Sequence, residues 1–160
     1  MENKDEVIEI LNDLIMINND RIAGYEKVYD ETKEIETDLR ALFRSLADDS
    51  KAHIERLTEK VTELGGEPAS GTMASGKLYR IWMDIRAVFT FDNRLAVLSN
   101  AEGGEDAAQK AYDEALKSDI LPEDVRDLIS SQKIALLAAH DNIKKQISEQ
   151  KDVERYPLTS

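Results

Sequence analysis

The sequence contains no cysteine, and among its 160 residues there are only 3 prolines and 7 glycines. Without cysteine the chain has no disulfide, no thiolate metal ligand and no cysteine nucleophile, and it is compatible with a reducing cytosol. Few prolines and glycines, together with 41% hydrophobic and 34% charged residues, are typical of a folded helical protein and not of a disordered one. We therefore expect a globular, cytoplasmic protein.

Basic residues are outnumbered, because 21 lysines and arginines stand against 33 aspartates and glutamates and give a formal charge of −12. Phosphate backbones and anionic lipids are bound by clusters of Lys and Arg, so we expect neither nucleic acid nor a membrane surface as a partner of this acidic protein. No apolar run approaches the roughly 20 residues of a membrane-spanning helix. The acidic start, residues 1–6, lacks the basic and apolar regions of a signal peptide.

Apolar residues recur at spacings of three and four along five segments, which predicts five helices. The predicted helices cover about residues 4–32, 35–64, 77–89, 92–117 and 122–151. The first two and the last two form long antiparallel hairpins, and the short third helix lies in the crossover that joins them. A chain of 160 residues fits one domain with one core, so residues 1–160 are predicted to form a single all-α four-helix bundle.

Polar side chains interrupt the apolar stripe of every long helix. In an antiparallel hairpin, residues equally far from the turn lie at the same height. Aligned in this way, the two hairpins place these interruptions at one level of the core. Buried acids need a cation, a hydrogen-bond network or water, so this level is the candidate functional site. The interrupting residues are Asn18 in the first helix, Asp49, Ser50 and His53 in the second, Glu102 and Glu105 in the third long helix, and His140 in the last.

Two glycines stand side by side within the helix that carries Glu102 and Glu105. Each glycine costs about 1 kcal/mol relative to alanine in a helix interior. Gly103 and Gly104 therefore indicate either the close approach of another helix or a ligand, or a local distortion of the helix.

Three segments carry a resemblance to a known family: residues 79–86 (YRIWMDIR), 102–116 (EGGEDAAQKAYDEAL) and 138–143 (AAHDNI). On these the chain resembles the ferritin-like four-helix bundles and, more narrowly, an uncharacterised bacterial family of stand-alone bundles known as a domain of unknown function. The resemblance covers about residues 5–148. It implies a ferritin-like fold with two hairpins and a long crossover, and says little about activity.

Ferritin-like proteins hold two metals with one Glu from each of two helices and a Glu-x-x-His from each of the others. The resemblance matches Glu102 or Glu105 to the carboxylate of the third long helix, and His53 and His140 to the two histidines. This chain departs from the pattern at the remaining positions. Ser50 and Leu137 replace the two motif glutamates, and the first helix offers Asn18, Asn19 or Asp20. A two-metal cage is not expected, because too few anionic oxygens remain to offset four positive charges.

Two functional interpretations stay open. In the first, the polar level is structural, and the protein is a non-enzymatic bundle with a scaffolding or stress-related role. In the second, one divalent ion (Fe, Mn or Zn) gives a metal-binding or redox protein. The candidate metal ligands are Glu102, Glu105, His140, His53 and Asp49.

No catalytic or cofactor-binding residue is predicted, and self-association through an apolar helix face is the partner we consider. The two glutamates are predicted to point inward. An uncompensated buried carboxylate tends to take up a proton, so without a metal the exchange of Glu102 and Glu105 for glutamine should cost little stability.

Overall fold

The computed structural model describes residues 2–34, 36–70, 76–85 and 93–156, and the regular structure in these ranges is entirely helical. The predicted all-α architecture is therefore confirmed. The helices are α1 (Glu2–Glu31), α2 (Thr37–Glu63), α3 (Lys77–Ile85), α4 (Arg94–Leu116) and α5 (Glu123–Arg155).

The helix boundaries lie within a few residues of the predicted ones where both are described. α5 continues past the predicted residue 151 to Arg155, because no glycine or proline interrupts the chain before Pro157. Residues 35, 86–89 and 92 of the predicted helices lie outside the described residues. A single domain spanning residues 1–160 remains a prediction.

Glycine and asparagine mark two of the helix ends. α2 is followed by Gly65, whose positive φ of 81° is the left-handed conformation that glycine adopts without strain. At the start of α4 the Asn93 side chain accepts a hydrogen bond of 2.8 Å from the backbone N–H of Ala96. The cap satisfies one of the free N–H groups of that first turn.

The four long helices form two hairpins, with α1 packed along α2 and α4 packed along α5. The short helix α3 lies in the crossover and contacts both α1 and α4. Within the described ranges, no helix is long and apolar enough to cross a membrane.

Two acids of α1 hold α3 in place. Asp13 accepts hydrogen bonds from the backbone N–H groups of Leu78 (3.0 Å) and Tyr79 (3.4 Å), and so caps the first turn of α3. One oxygen of Asp20 accepts from the Tyr79 hydroxyl (2.7 Å) and from the indole N–H of Trp82 (3.1 Å). These bonds fix the crossover helix against the first hairpin.

Two apolar clusters make up the core, one on each side of a polar level. The first includes Leu11, Leu14, Leu57, Val61, Ala108, Val125 and Ile129. The second includes Val28, Leu39, Phe43, Leu46, Leu98, Ala101 and Ile143. The buried polar groups between them define what we call the polar layer. Its members are Asn18, Arg21, Tyr25, Ser50, Glu105, Tyr112 and Gln132.

Candidate functional site

An ion pair between α1 and α4 lies at the centre of the polar layer. Arg21 Nη2 is 2.5 Å from Glu105 Oε1, and the two side chains are 1% and 0% exposed. The Tyr25 hydroxyl donates to the same carboxylate oxygen at 2.7 Å. Arg21 Nη1 donates to Ser50 Oγ at 2.5 Å and to Asn18 Oδ1 at 3.3 Å. One guanidinium thus ties α1 to both α2 and α4.

A chain of hydrogen bonds extends the layer to α5. Asn18 Nδ2 donates to the Tyr112 hydroxyl at 3.0 Å and to the Leu14 carbonyl at 2.8 Å. The Tyr112 hydroxyl donates to Gln132 Oε1 at 2.7 Å, and Gln132 Nε2 donates to the His53 carbonyl at 3.1 Å. All four long helices are therefore joined by one continuous buried network.

Burial sets the protonation of the groups in this network. It raises the pKa of Tyr25 well above its usual value, an effect that the nearby charge of Glu105 reinforces. Burial also raises the pKa of Tyr112 to about 12. Burial alone would lower the pKa of Arg21, but the Glu105 carboxylate outweighs it and raises that pKa. At neutral pH both tyrosines are hydrogen-bond donors and Arg21 is a cation.

His53 lies half-buried at the edge of the layer. Burial, and then the positive charge of Arg21, lower its pKa to about 4, so the imidazole is neutral at pH 7. Three buried atoms in this region have no hydrogen-bond partner among the described residues: Arg21 Nε, Glu105 Oε2 and His53 Nε2. A buried polar atom without a partner costs about 1–3 kcal/mol. The network therefore leaves part of its hydrogen-bonding capacity unused.

The five predicted metal ligands occupy different places. Glu105 is fully buried in the polar layer, as predicted for its side chain. Glu102 is partly exposed. It precedes Glu105 by three residues, so its side chain points about 60° away from that of Glu105 around α4. Asp49 is exposed, about 100° around α2 from the buried Ser50.

The two histidines are also separated in their contacts. His53 borders the polar layer, whereas His140 Nε2 lies 2.7 Å from Asp106 Oδ1, in a contact between α5 and α4 whose side chains are 15% and 58% exposed. In the part of the chain that the structure describes, no three His, Asp or Glu side chains form a group that could hold a metal ion. Glu102, Glu105, His140, His53 and Asp49 as ligands of one ion remain a prediction.

Arg21 and Gln132 are the functional residues that the sequence patterns missed. Arg21 is only 3% exposed, whereas its apolar neighbour Ile22 is partly exposed. A signal was present, because Arg21 follows Asn18 by three residues and precedes Tyr25 by four, the spacing of a single helix face. A buried glutamate also calls for a buried cation.

Residues 6–118 match the model of a family described as domain of unknown function DUF2383. The chain belongs to that family. No curated protein matches it. The predicted membership in an uncharacterised family of helical bundles is therefore confirmed, and the family's description names no activity.

Two solved structures show the wider relationship. The chain is similar to the bacterioferritin of Desulfovibrio desulfuricans, whose diiron site was solved in different catalytic states, with a TM-score of 0.79 and 23% identity over 95% of this chain and 84% of that one. It is also similar to ferritin-like diiron-carboxylate proteins from Bacillus anthracis str. Ames, with a TM-score of 0.61 and 18% identity over 96% of this chain and 98% of that one. Identities this low show the fold alone, and they confirm the predicted ferritin-like fold.

The polar layer does not fit a pair of metal ions. Two divalent ions bring four positive charges and need several carboxylates to offset them. Among its described members the layer has one carboxylate, Glu105, and that group is already paired with the guanidinium of Arg21. Its other members are neutral hydroxyls and amides. A metal beside Glu105 would also face the like charge of Arg21.

Proposed function

We propose that this protein is a non-enzymatic ferritin-like bundle with a scaffolding or stress-related role, and that its polar layer holds the four long helices in register. The observation that carries the proposal is the buried Arg21–Glu105 ion pair. The guanidinium supplies, from one side chain, the positive charge that a buried carboxylate requires. No bound ion is needed for that purpose.

The energetics of buried ion pairs support a role in register. Two charges lose their hydration when they are buried, so a complete pair adds little net stability, whereas removing one partner costs about 3–5 kcal/mol. A bundle in which α1 slipped by one turn against α4 would separate Arg21 from Glu105 and bear a cost of that kind. The layer thus favours one alignment of the hairpins over the neighbouring ones.

A second candidate is a metal-handling or metal-dependent redox protein with a degenerate site for one divalent ion. It is favoured by the similarity to two proteins described as diiron proteins. It is also favoured by the unpartnered Glu105 Oε2 and His53 Nε2. Fe, Mn and Zn suit ligands of these types.

Metal content and thermal melting separate the two candidates. The protein is expressed in medium supplemented with Fe, Mn and Zn, its metal content is measured, and oxygen consumption is followed on addition of ferrous iron. A ligand that binds only the folded state must raise its stability. The structural role predicts metal-free protein, unchanged melting with each metal, and no oxygen consumption. Stoichiometric metal that is lost in His53→Ala but kept in His140→Ala would establish the second candidate instead.

A further inference from the structure

The two groups of the buried ion pair each have one atom that the pair itself does not use. Arg21 Nη2 contacts Glu105 Oε1 at 2.5 Å, and the two side chains are 1% and 0% exposed. Arg21 Nε and Glu105 Oε2 belong to the same two planar groups, and neither has a hydrogen-bond partner within the described ranges. The first is a donor and the second an acceptor. Burying either atom without a partner is costly, so both call for one.

Neighbouring side chains hold the ion pair in this arrangement. A carboxylate can accept from two N–H groups of one guanidinium, which would join Nε to Oε2 directly. Here Arg21 Nη1 is bound to Ser50 Oγ at 2.5 Å and to Asn18 Oδ1 at 3.3 Å. Glu105 Oε1 also accepts from the Tyr25 hydroxyl at 2.7 Å. These contacts fix the guanidinium and the carboxylate on their other sides, with the second bond between them unmade.

Charge and chemistry restrict what can partner the two atoms. The charges of Arg21 and Glu105 offset each other, so an additional ion in the interior would be uncompensated. A cation would face the guanidinium, and an anion would face the carboxylate. The partner must therefore be neutral, and it must accept from Arg21 Nε while it donates to Glu105 Oε2. It must also be small, because the layer is enclosed by the four long helices. A water molecule meets these requirements.

The packing next to Glu105 leaves room in the interior. Gly104 precedes Glu105 on α4 and is buried. Apart from its chain neighbours and the backbone of α4, no atom lies within 4 Å of the place where a Cβ would stand at Gly104. Because the residue is buried, this space belongs to the interior of the bundle. A buried water needs a cavity of roughly 10–15 Å³ and about two to four polar partners. The ion pair supplies two such partners.

We propose that one water molecule is an integral part of the polar layer, where it accepts a hydrogen bond from Arg21 Nε and donates one to Glu105 Oε2. The proposal rests on the structural role proposed above, and it adds the group that completes the ion pair without a metal. A water enclosed by four helices leaves only when they separate locally, so it exchanges far more slowly than water at the surface.

A high-resolution crystal structure of the metal-free wild type tests the position of this water. We expect a density peak at about 2.7–3.2 Å from both Arg21 Nε and Glu105 Oε2. A direct bond between these two atoms, or no density near them, would overturn the water site and leave the structural role of the layer intact. A metal ion, identified by anomalous scattering and by a distance of about 2.0–2.2 Å to the carboxylate, would overturn both.

Magnetic relaxation dispersion of the water nuclei counts long-lived buried waters in solution. Arg21→Met/Glu105→Met removes both partners and leaves no unpaired charge, so this variant should hold one long-lived water fewer than the wild type. Ser50→Ala is the matched control, because it alters the contact of Arg21 Nη1 and should keep the count. Circular dichroism confirms that both variants fold. An unchanged count in the double variant, or an equal loss in Ser50→Ala, would overturn the proposal.

Discussion

The Arg21 guanidinium and the Glu105 carboxylate lie 2.5 Å apart in the interior of the bundle, and neither side chain reaches the solvent. Arg21 belongs to α1 and Glu105 to α4, so the pair joins the two hairpins and not the helices within one hairpin. This contact changes what we expect from replacing Glu105 by glutamine. If the carboxylate had no partner, the replacement would cost little stability. Because Glu105 is paired with the buried Arg21 guanidinium, its replacement leaves that positive charge unpaired and is costly.

Tyr25→Phe tests the hydrogen bond that supports this ion pair. The Tyr25 hydroxyl donates to Glu105 at 2.7 Å, and hydrogen bonds to charged groups contribute about 1.5–3 kcal/mol. We expect the free energy of unfolding, measured by urea denaturation, to fall by about that amount. Tyr29→Phe is the control, because Tyr29 is partly exposed and phenylalanine keeps the aromatic ring. The centroid of that ring lies 4.2 Å from Arg40 Cζ. Equal effects of the two substitutions would contradict the prediction.

His53 should make the stability of the protein depend on pH. Burial lowers its pKa to about 4 in the folded chain, from about 6.5 for the solvated imidazole of the unfolded chain. As the pH falls below 6.5 the unfolded chain takes up a proton that the folded chain does not accept until about pH 4, so stability is lost through this window. Between pH 7.5 and 5 the loss amounts to about 2 kcal/mol.

Urea denaturation at the two pH values, compared between variants, isolates this contribution. His53→Gln should remove most of the loss and keep the backbone carbonyl that accepts from Gln132. His140→Gln, which exchanges the only other histidine, should leave the His53 contribution in place. The assignment is wrong if His53→Gln loses as much stability between the two pH values as the wild type does.

Gly104→Ala is expected to stabilise the protein by about 0.5–1 kcal/mol, the difference in helix propensity. Apart from its chain neighbours and the backbone of α4 itself, a Cβ atom at this buried position would meet no atom within 4 Å, so the close approach that the glycine pair suggested is not found at Gly104. Gly76→Ala provides the contrast, because a Cβ there would overlap the Asp13 carboxylate that caps α3. We expect a higher melting temperature for the first variant and a lower one for the second. A loss of stability in Gly104→Ala would contradict the open space beside it.

The fold could be predicted from the sequence because apolar residues spaced three and four apart define each long helix. The level of the polar layer was also predictable, since Asn18, Ser50 and Glu105 each interrupt an otherwise apolar stripe. The pattern did not determine which of two neighbouring residues in a helix faces the core. Asp49 is turned by about 100° around α2 from Ser50, a member of the polar layer, and its side chain is therefore exposed to solvent.

The partner of the buried acid was missed for a different reason. Arginine is almost never fully buried unless it is paired, so Arg21 is expected at the surface when its own helix is considered alone. Its place in the core depends on Glu105, which is 84 residues away in sequence. Only the packing of α1 against α4 brings the two together. Helical periodicity within one segment carries no information about such a pair.

The most direct test of the account is a double-mutant cycle on Arg21 and Glu105, measured by urea denaturation of metal-free protein. If the pair holds the layer without a metal, Arg21→Met and Glu105→Gln should each lower the free energy of unfolding by about 3–5 kcal/mol. The double variant, which leaves no unpaired charge, should lose much less than the sum of the two. Additive losses, or a Glu105→Gln variant at least as stable as the wild type, would contradict the account.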